Sequence, residues 1–148
     1  MYSIEEFDEK KTQVMKYIVY KKRTEQEVRN KFSRIIDESM LEDIIEYLKE
    51  AKYLDDSEYI EKMINNFKIL KNLSIKEVKY KLLAKGLNKN QVEDYIYEHK
   101  EELNEYEINS AKNLIIKKQT DMENDQIKQY LLKKGYNIEN INKAMFEN

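Results

Sequence analysis

The 148-residue chain has no cysteine, no proline, no tryptophan, two glycines and one histidine. Each scarcity excludes something. Without cysteine there is no disulfide scaffold, thiolate zinc site, iron–sulfur cluster or cysteine nucleophile. With one histidine there is no histidine pair for a metal. Tight β-turns lean on Gly and Pro, so a chain this poor in both argues against sheets and for an all-α fold. No apolar run approaches the 18 residues a membrane span needs. The first residues, Met1 to Lys11, are acidic and carry no apolar core of a secretory signal. These features give the expectation of a soluble, cytoplasmic protein with no membrane partner.

What is present is charge: 38% of residues are Asp, Glu, Lys or Arg, against an ordinary share of about 25%. Apolar residues make up 41%, enough for a thin core. Lysine supplies most of the basic residues, and Ile, Asn and Tyr abound while Ala is scarce, a pattern read as an A+T-rich coding bias.

Helix starts are written as capping boxes, a Ser or Thr followed three residues later by Glu: Ser3/Glu6, Thr24/Glu27, Ser39/Glu42, Ser74/Glu77 and Thr120/Glu123. Asp55 or Asp56, Asn88 and Asn137 supply further caps. Apolar residues recur at helical spacing, as in Leu41, Ile44, Ile45 and Leu48, in Ile60, Met63, Ile64, Phe67 and Leu70, and in Val92, Tyr95 and Ile96. The pattern predicts nine helices, near 5–21, 25–36, 40–51, 57–72, 75–85, 89–102, 105–119, 123–134 and 138–147.

The nine helices fall into three triplets with a period of about 50 residues. Lys85-Gly86-Leu87-Asn88 aligns with Lys134-Gly135-Tyr136-Asn137, and Val78-Lys79-Tyr80-Lys81-Leu82 with Ile127-Lys128-Gln129-Tyr130-Leu131. Val28-Arg29-Asn30-Lys31-Phe32 is the corresponding stretch of the first triplet, which has no glycine and is the degenerate copy. The expected division is 1–54, 55–103 and 104–148. Each glycine is expected in a left-handed conformation ending a helix.

Charge follows the same period. Basic residues dominate 16–34, 62–89 and 112–134, and acidic ones 37–61 and 93–107. The second helix of each triplet is thus basic. One reading is a solvated surface. The other is a partner-binding stripe made of Lys22, Arg23, Arg29, Lys31 and Arg34 in the first triplet, Lys76, Lys79, Lys81 and Lys85 in the second, and Lys128, Lys133 and Lys134 in the third. On the helix over 75–85, Ile75, Val78, Leu82 and Leu83 point inward, with Lys76 on one flank, Lys81 and Lys85 on the other and Lys79 at the rim.

No catalytic constellation appears. His99 continues the Val92–Tyr95–Ile96 stripe and reads as an edge-of-core or surface residue. There is no Gly-rich phosphate loop and no nucleophile set that uses His99. Asp55-Asp56 reads as a cap, and Asn72-Leu73-Ser74 as a chance match to a glycosylation acceptor. The tyrosines lie mostly beside Ile and Leu and read as rim residues of the core. No catalytic, cofactor or metal residue is expected, and the chain reads as a non-enzyme.

The ordered motifs resemble the RecX family of bacterial regulators of the RecA recombinase. The resemblance rests on Lys22-Arg23-Thr24 with Glu27-Val28-Arg29 and Lys31-Phe32, and on Tyr47-Leu48 leading into Tyr53-Leu54-Asp55-Asp56 with Ser57, Tyr59 and Ile60. It extends to Ser74 through Gly86-Leu87 and to Gln126 through Gly135-Tyr136. It covers essentially the whole chain. It implies tandem three-helix units in an elongated, curved monomer, binding along the groove of the RecA–DNA filament, and suppression of RecA's ATPase and strand exchange. Lysine stands where family members often carry arginine, which reduces bidentate contacts to phosphate or carboxylate, and the net charge of −2 is mildly acidic. Two other readings stay open: a direct DNA-binding helical protein using its basic second helices, and a helical-repeat adaptor for another partner.

Overall fold

The side chains that start the helices do so as the sequence suggests at most positions. The computed structural model describes residues 2–70 and 72–146, and these hold nine α-helices and no strand. They are α1 (Ile4–Tyr20), α2 (Glu25–Phe32), α3 (Glu38–Glu50), α4 (Asp56–Leu70), α5 (Ile75–Ala84), α6 (Lys89–Glu98), α7 (Lys100–Lys118), α8 (Asn124–Lys134) and α9 (Ile138–Phe146).

The Ser3 hydroxyl accepts the Glu6 amide at 3.1 Å. Thr24 and Glu27 form a reciprocal box with both bonds at 3.0 Å, and Ser74 and Glu77 do the same at 3.1 and 2.9 Å. Asp55, Asn88 and Asn137 cap α4, α6 and α9.

Two expected boxes do not form. Ser39 lies inside α3, whose N-cap position is Asp37, and Glu42 instead pairs with Arg29. At α8, Glu123 itself takes the cap position, and Gln126 accepts its amide at 3.0 Å. Thr120 stands outside the helix.

A third difference is at α6 and α7, which meet at His99 rather than across a loop at 103–104. His99 ends one helix and precedes the other, with φ −111° and ψ 23°.

The chain divides into two compact units, Met1–Ile60 with Lys85–Leu87, and Glu61–Ala84 with Asn88–Asn148. In the first, Val14 and Ile18 of α1, Val28 and Phe32 of α2, and Leu41, Ile44, Ile45 and Leu48 of α3 close one core over Ile36 and Leu54. In the second, Ala111, Leu114 and Ile115 of α7 pack with Ile127 and Leu131 of α8, Tyr136, and Ile141 and Ala144 of α9. The i, i+3, i+4 stripes therefore point inward as their spacing requires. Leu70, expected on the α4 stripe, is exposed.

Gly86 and Gly135 adopt φ +84° and +99°, the left-handed helix endings expected of them. The Tyr136 amide then reaches back to the Leu131 carbonyl at 3.1 Å, six residues closing the turn. In the first triplet Ile36 is buried, as Leu87 and Tyr136 are. Asp37 occupies the cap position that Asn88 and Asn137 hold. Ile35 therefore stands at the glycine's position, in a turn without positive φ.

Candidate interaction surface

Among the described residues the buried polar ones are Thr24, Ser74, Glu107, Ser110 and Asn140. A buried polar group is costly unless hydrogen-bonded, and none of the described buried side-chain polar atoms lacks a partner. The hydroxyls of Thr24 and Ser74 each have two tasks. Each accepts an amide of its own helix, and each donates to a carbonyl far along the chain. Thr24 Oγ1 donates to Lys85 O at 2.7 Å, and Ser74 Oγ to Lys134 O at 2.8 Å. Both acceptors immediately precede a left-handed glycine.

A carboxylate accompanies each hydroxyl. Asp56 accepts the Glu25 amide at 3.1 Å, and Glu107 accepts the Ile75 amide at 2.7 Å. Glu107 also accepts the Asn137 amide at 2.8 Å and Asn140 Nδ2 at 3.0 Å. Burial pushes the Asp56 carboxyl above the usual aspartate value, and the bond from Glu25 N opposes that shift. Burial likewise pushes the Tyr136 phenol up, although Ser110 Oγ lies 2.7 Å away.

Two glycine turns are thus held on two helix starts by the same four-part pattern. Glu107 shares the buried stripe of Leu103, Tyr106, Ser110 and Leu114, and a carboxylate at that spacing is the signal that marks it. Read only as part of the acidic run 93–107, it passes for a surface charge.

The basic residues divide into two sets. Arg29 is held within the protein: its guanidinium grips Glu42 through two bonds at 2.6 and 2.9 Å and also reaches Glu25 at 3.2 Å. These contacts hold the Glu42 carboxyl below its ordinary value and raise that of Arg29. Lys79 takes the corresponding place in α5 and pairs with Glu93 at 2.9 Å. Lys22 pairs with Glu58. Arg23 lies over the Tyr17 ring at 4.0 Å, and Lys134 is 3.4 Å from Glu77.

The other set has no ion pair among the described residues: Lys31, Arg34, Lys76, Lys81, Lys85, Lys128 and Lys133. Lys31 approaches only a tyrosine ring, at 5.9 Å. Arg34, Lys76, Lys81 and Lys133 are exposed, while Lys85 and Lys128 are half-buried along their stems. Their charged heads are free to meet a partner's anions.

The tyrosines are more exposed than their spacing suggests. Tyr59, Tyr106 and Tyr136 are buried, but Tyr20, Tyr47, Tyr53, Tyr80 and Tyr97 face solvent. His99 is half-buried, stacked on Tyr95 at 3.9 Å, with Nδ1 2.8 Å from the Tyr95 carbonyl. That geometry makes Nδ1 the donor and spends it on the backbone. Among the described residues no group of His, Asp and Glu could hold a metal ion, and no helix is long and apolar enough to cross a membrane.

No protein-family model matches the chain. The chain is similar to the regulatory protein RecX of Staphylococcus carnosus, 36% identical over 135 residues, which are 88% of this chain and 51% of that protein. It is similar to RecX of Streptococcus mutans, 29% identical over 95% of this chain and 55% of the relative. It thus spans about half the length of these curated relatives. Among solved structures it is similar to RecX from Lactobacillus salivarius, with TM-score 0.82 and 25% identity over 98% of this chain and 97% of the other. A further crystal structure of regulatory protein RecX shares the fold, with TM-score 0.80 at 18% identity over 95% of this chain and 73% of the other. Sequence similarity over most of this chain, together with one all-helical architecture in the structures, leads to a single assignment: the chain belongs to the RecX family.

Proposed function

We propose that this protein is a non-enzymatic regulator that binds the RecA–DNA filament and lowers its ATPase and strand-exchange activity. The observation that supports this reading is the set of unpaired cations recurring on or just after the second helix of each triplet: Lys31 on α2 and Arg34 just beyond it, Lys76 and Lys81 on α5 and Lys85 just beyond it, and Lys128 and Lys133 on α8. Like charges held together repel one another and stabilise nothing in an isolated chain. A polymer with regularly spaced anionic groups would balance them.

The same reading takes the fold as three repeats, 1–54, 55–103 and 104–148, and the twice-occurring hydroxyl–carbonyl–glycine pattern supports it. Arg29 and Lys79, spent on Glu42 and Glu93, and Lys22, spent on Glu58, are supporting residues in this proposal rather than contacts.

The test is the DNA-dependent ATPase of RecA titrated with this protein. Wild type lowers it, and Lys76→Glu with Lys81→Glu weakens binding by roughly 1–3 kcal/mol through lost attraction and added repulsion. Full inhibition by the double variant would overturn the assignment of the surface. Direct DNA binding by the protein alone would instead show log K falling linearly and steeply with log salt.

A further inference from the structure

Helix α5 buries Val78 and Leu82. At 3.6 residues per turn Tyr80 stands on the side away from that stripe, and it is 75% exposed. An aromatic ring is a large apolar surface that packing ordinarily covers. Among the described residues Tyr80 has no hydrogen bond and no ring contact. The solvent-facing Tyr47 and Tyr97 differ from it. Lys11 lies over the first ring at 4.6 Å, and Lys100 over the second at 4.5 Å. The Tyr80 ring carries no such cover.

The uncovered ring lies between two cations. Exposed Lys76 precedes it by one turn and exposed Lys81 follows it. They sit about 7.5 Å apart along the helix axis, one on each flank of the ring, and neither has an ion pair among the described residues. The Lys76 stem runs along the Gly135 turn: a Cβ at Gly135 would come within 3.0 Å of Lys76 Cβ and 3.3 Å of its Cδ. That contact orders the stem in advance, so less side-chain freedom is lost on binding. The one acid of α5, Glu77, is engaged by the Ser74 amide at 2.9 Å and by Lys134 at 3.4 Å. No free carboxylate of α5 therefore opposes an incoming anion.

We infer that α5 takes single-stranded DNA, with Tyr80 stacked on a base and Lys76 and Lys81 on the phosphates to either side. This rests on the filament reading above and names the component of the filament that α5 meets. Phosphates answer the two cations, but an anion alone leaves the ring uncovered. A duplex supplies the phosphates and keeps its base faces inside the stack. A single strand offers both: an anion at every nucleotide and, between successive anions, an unpaired aromatic face. Helix α5 has no Asn, Gln, Ser, Thr or Arg to read base edges. Every base has a face to stack, so the contact is tolerant of sequence.

The test is binding of a labelled oligodeoxythymidine, read by anisotropy at about 50 mM salt, with melting curves to confirm that each variant folds. Tyr80→Ala should weaken binding by about five- to a hundredfold. Tyr80→Phe should keep it, while Tyr80→Leu, apolar but without a flat face, should lose it as Ala does. Tyr97→Ala should bind as wild type. An abasic oligomer of the same length should bind wild type and Tyr80→Ala equally. Tyr80→Trp gives the chain its one tryptophan, whose emission the oligomer should quench and the abasic oligomer should not. Binding by Tyr80→Leu as tight as by Tyr80→Phe marks an apolar protein contact and overturns the inference. So does an abasic oligomer that distinguishes wild type from Tyr80→Ala. The RecA ATPase separates this from the filament reading. A wild-type protein that lowers the ATPase but binds no oligomer overturns the stacking site alone, and one that binds through Tyr80 but leaves the ATPase unchanged supports the site and overturns the filament reading.

Discussion

Replacing Glu107 by Ala should destabilise the protein more than any other single change to a charged residue. The side chain is 1% exposed and accepts three N–H groups, two of them backbone amides at the starts of α5 and α9. A hydrogen bond to a charged group contributes about 1.5–3 kcal/mol, and a buried donor left without a partner costs its full desolvation. Three such bonds do not add, because the freed amides relax together. A loss of about 3–5 kcal/mol is the expected size, as for removal of one partner from a buried charged contact. At about 2–4 °C per kcal/mol for a chain of this length, the melting temperature should fall by roughly 6–20 °C. Gln in the same place keeps the volume and one acceptor oxygen but turns an NH2 group toward a donor, so Glu107→Gln should fall between wild type and Ala. Asp56→Asn is the matched comparison: Asp56 accepts one amide at 3.1 Å and is half-buried, so its change should cost about 1 kcal/mol. Circular dichroism melts give the order of the three variants, and amide hydrogen exchange at Ile75 and Asn137 should accelerate together in Glu107→Ala. A melting temperature within 2 °C or so of wild type, or exchange that quickens at only one of the two amides, would refute the reasoning.

Other outcomes follow from the backbone and the ion pairs. Gly86→Val and Gly135→Val should each cost at least about 1–2 kcal/mol from the left-handed backbone alone, with Gly86 the worse because its neighbour lies closer, and urea titrations would expose a neutral result at once. Lys52 is the one non-glycine residue with positive φ among those described, at +65°; Lys52→Gly should therefore be neutral or stabilising by up to about 1 kcal/mol, read from the same titrations. Glu42, Glu93 and Glu102 are held below the ordinary value of 4.5 by bonds from Arg29, Lys79 and Lys68. Their folded-state affinity for protons is lower than in the unfolded chain, so the stability they contribute is present above 4.5 and lost as pH falls through their folded values. The urea midpoint should drop between about pH 5 and pH 3, and less so in the triple Gln variant. For the filament assay, Glu101→Lys with Glu105→Lys is the control of choice, since Glu102 already holds Lys68.

Helix number and type were legible because the signals are local. A capping box needs four residues and an apolar stripe eight, and both operate before any tertiary contact exists. Thr24/Glu27 and Ser74/Glu77 marked helix starts that the structure places at α2 and α5. Ser39/Glu42 failed because tertiary chemistry won: Glu42 gains two bonds from Arg29 where a box offers one amide. The break at His99 had no Gly or Pro to announce it. The basic stripe was legible as composition, but the division into paired and free cations was not, since Arg29 and Lys79 find their carboxylates on another helix. Glu107 was hidden by its neighbours in an acidic run, although its register with Leu103, Ser110 and Leu114 placed it inward. The second task of Thr24 and Ser74 could not be read at all, because it depends on carbonyls that any residue supplies.

That second task sets an order of events as the chain is made. The helix-capping half of Thr24 is satisfied by residues three places away, so α2 can start as soon as it is synthesised. The donating half waits for Lys85, 61 residues downstream. At about 5–20 residues per second, the carbonyl arrives roughly 3–12 s after the hydroxyl. The first compact unit is therefore discontinuous in time as well as in sequence: 85–87 reach it only after 61–84, which belong to the other unit, have left the ribosome. Ser74 repeats the delay with Lys134, 60 residues on. Nascent chains ending before 85 should hold an exposed, protease-sensitive start of α2 that lengthening the chain past 87 protects.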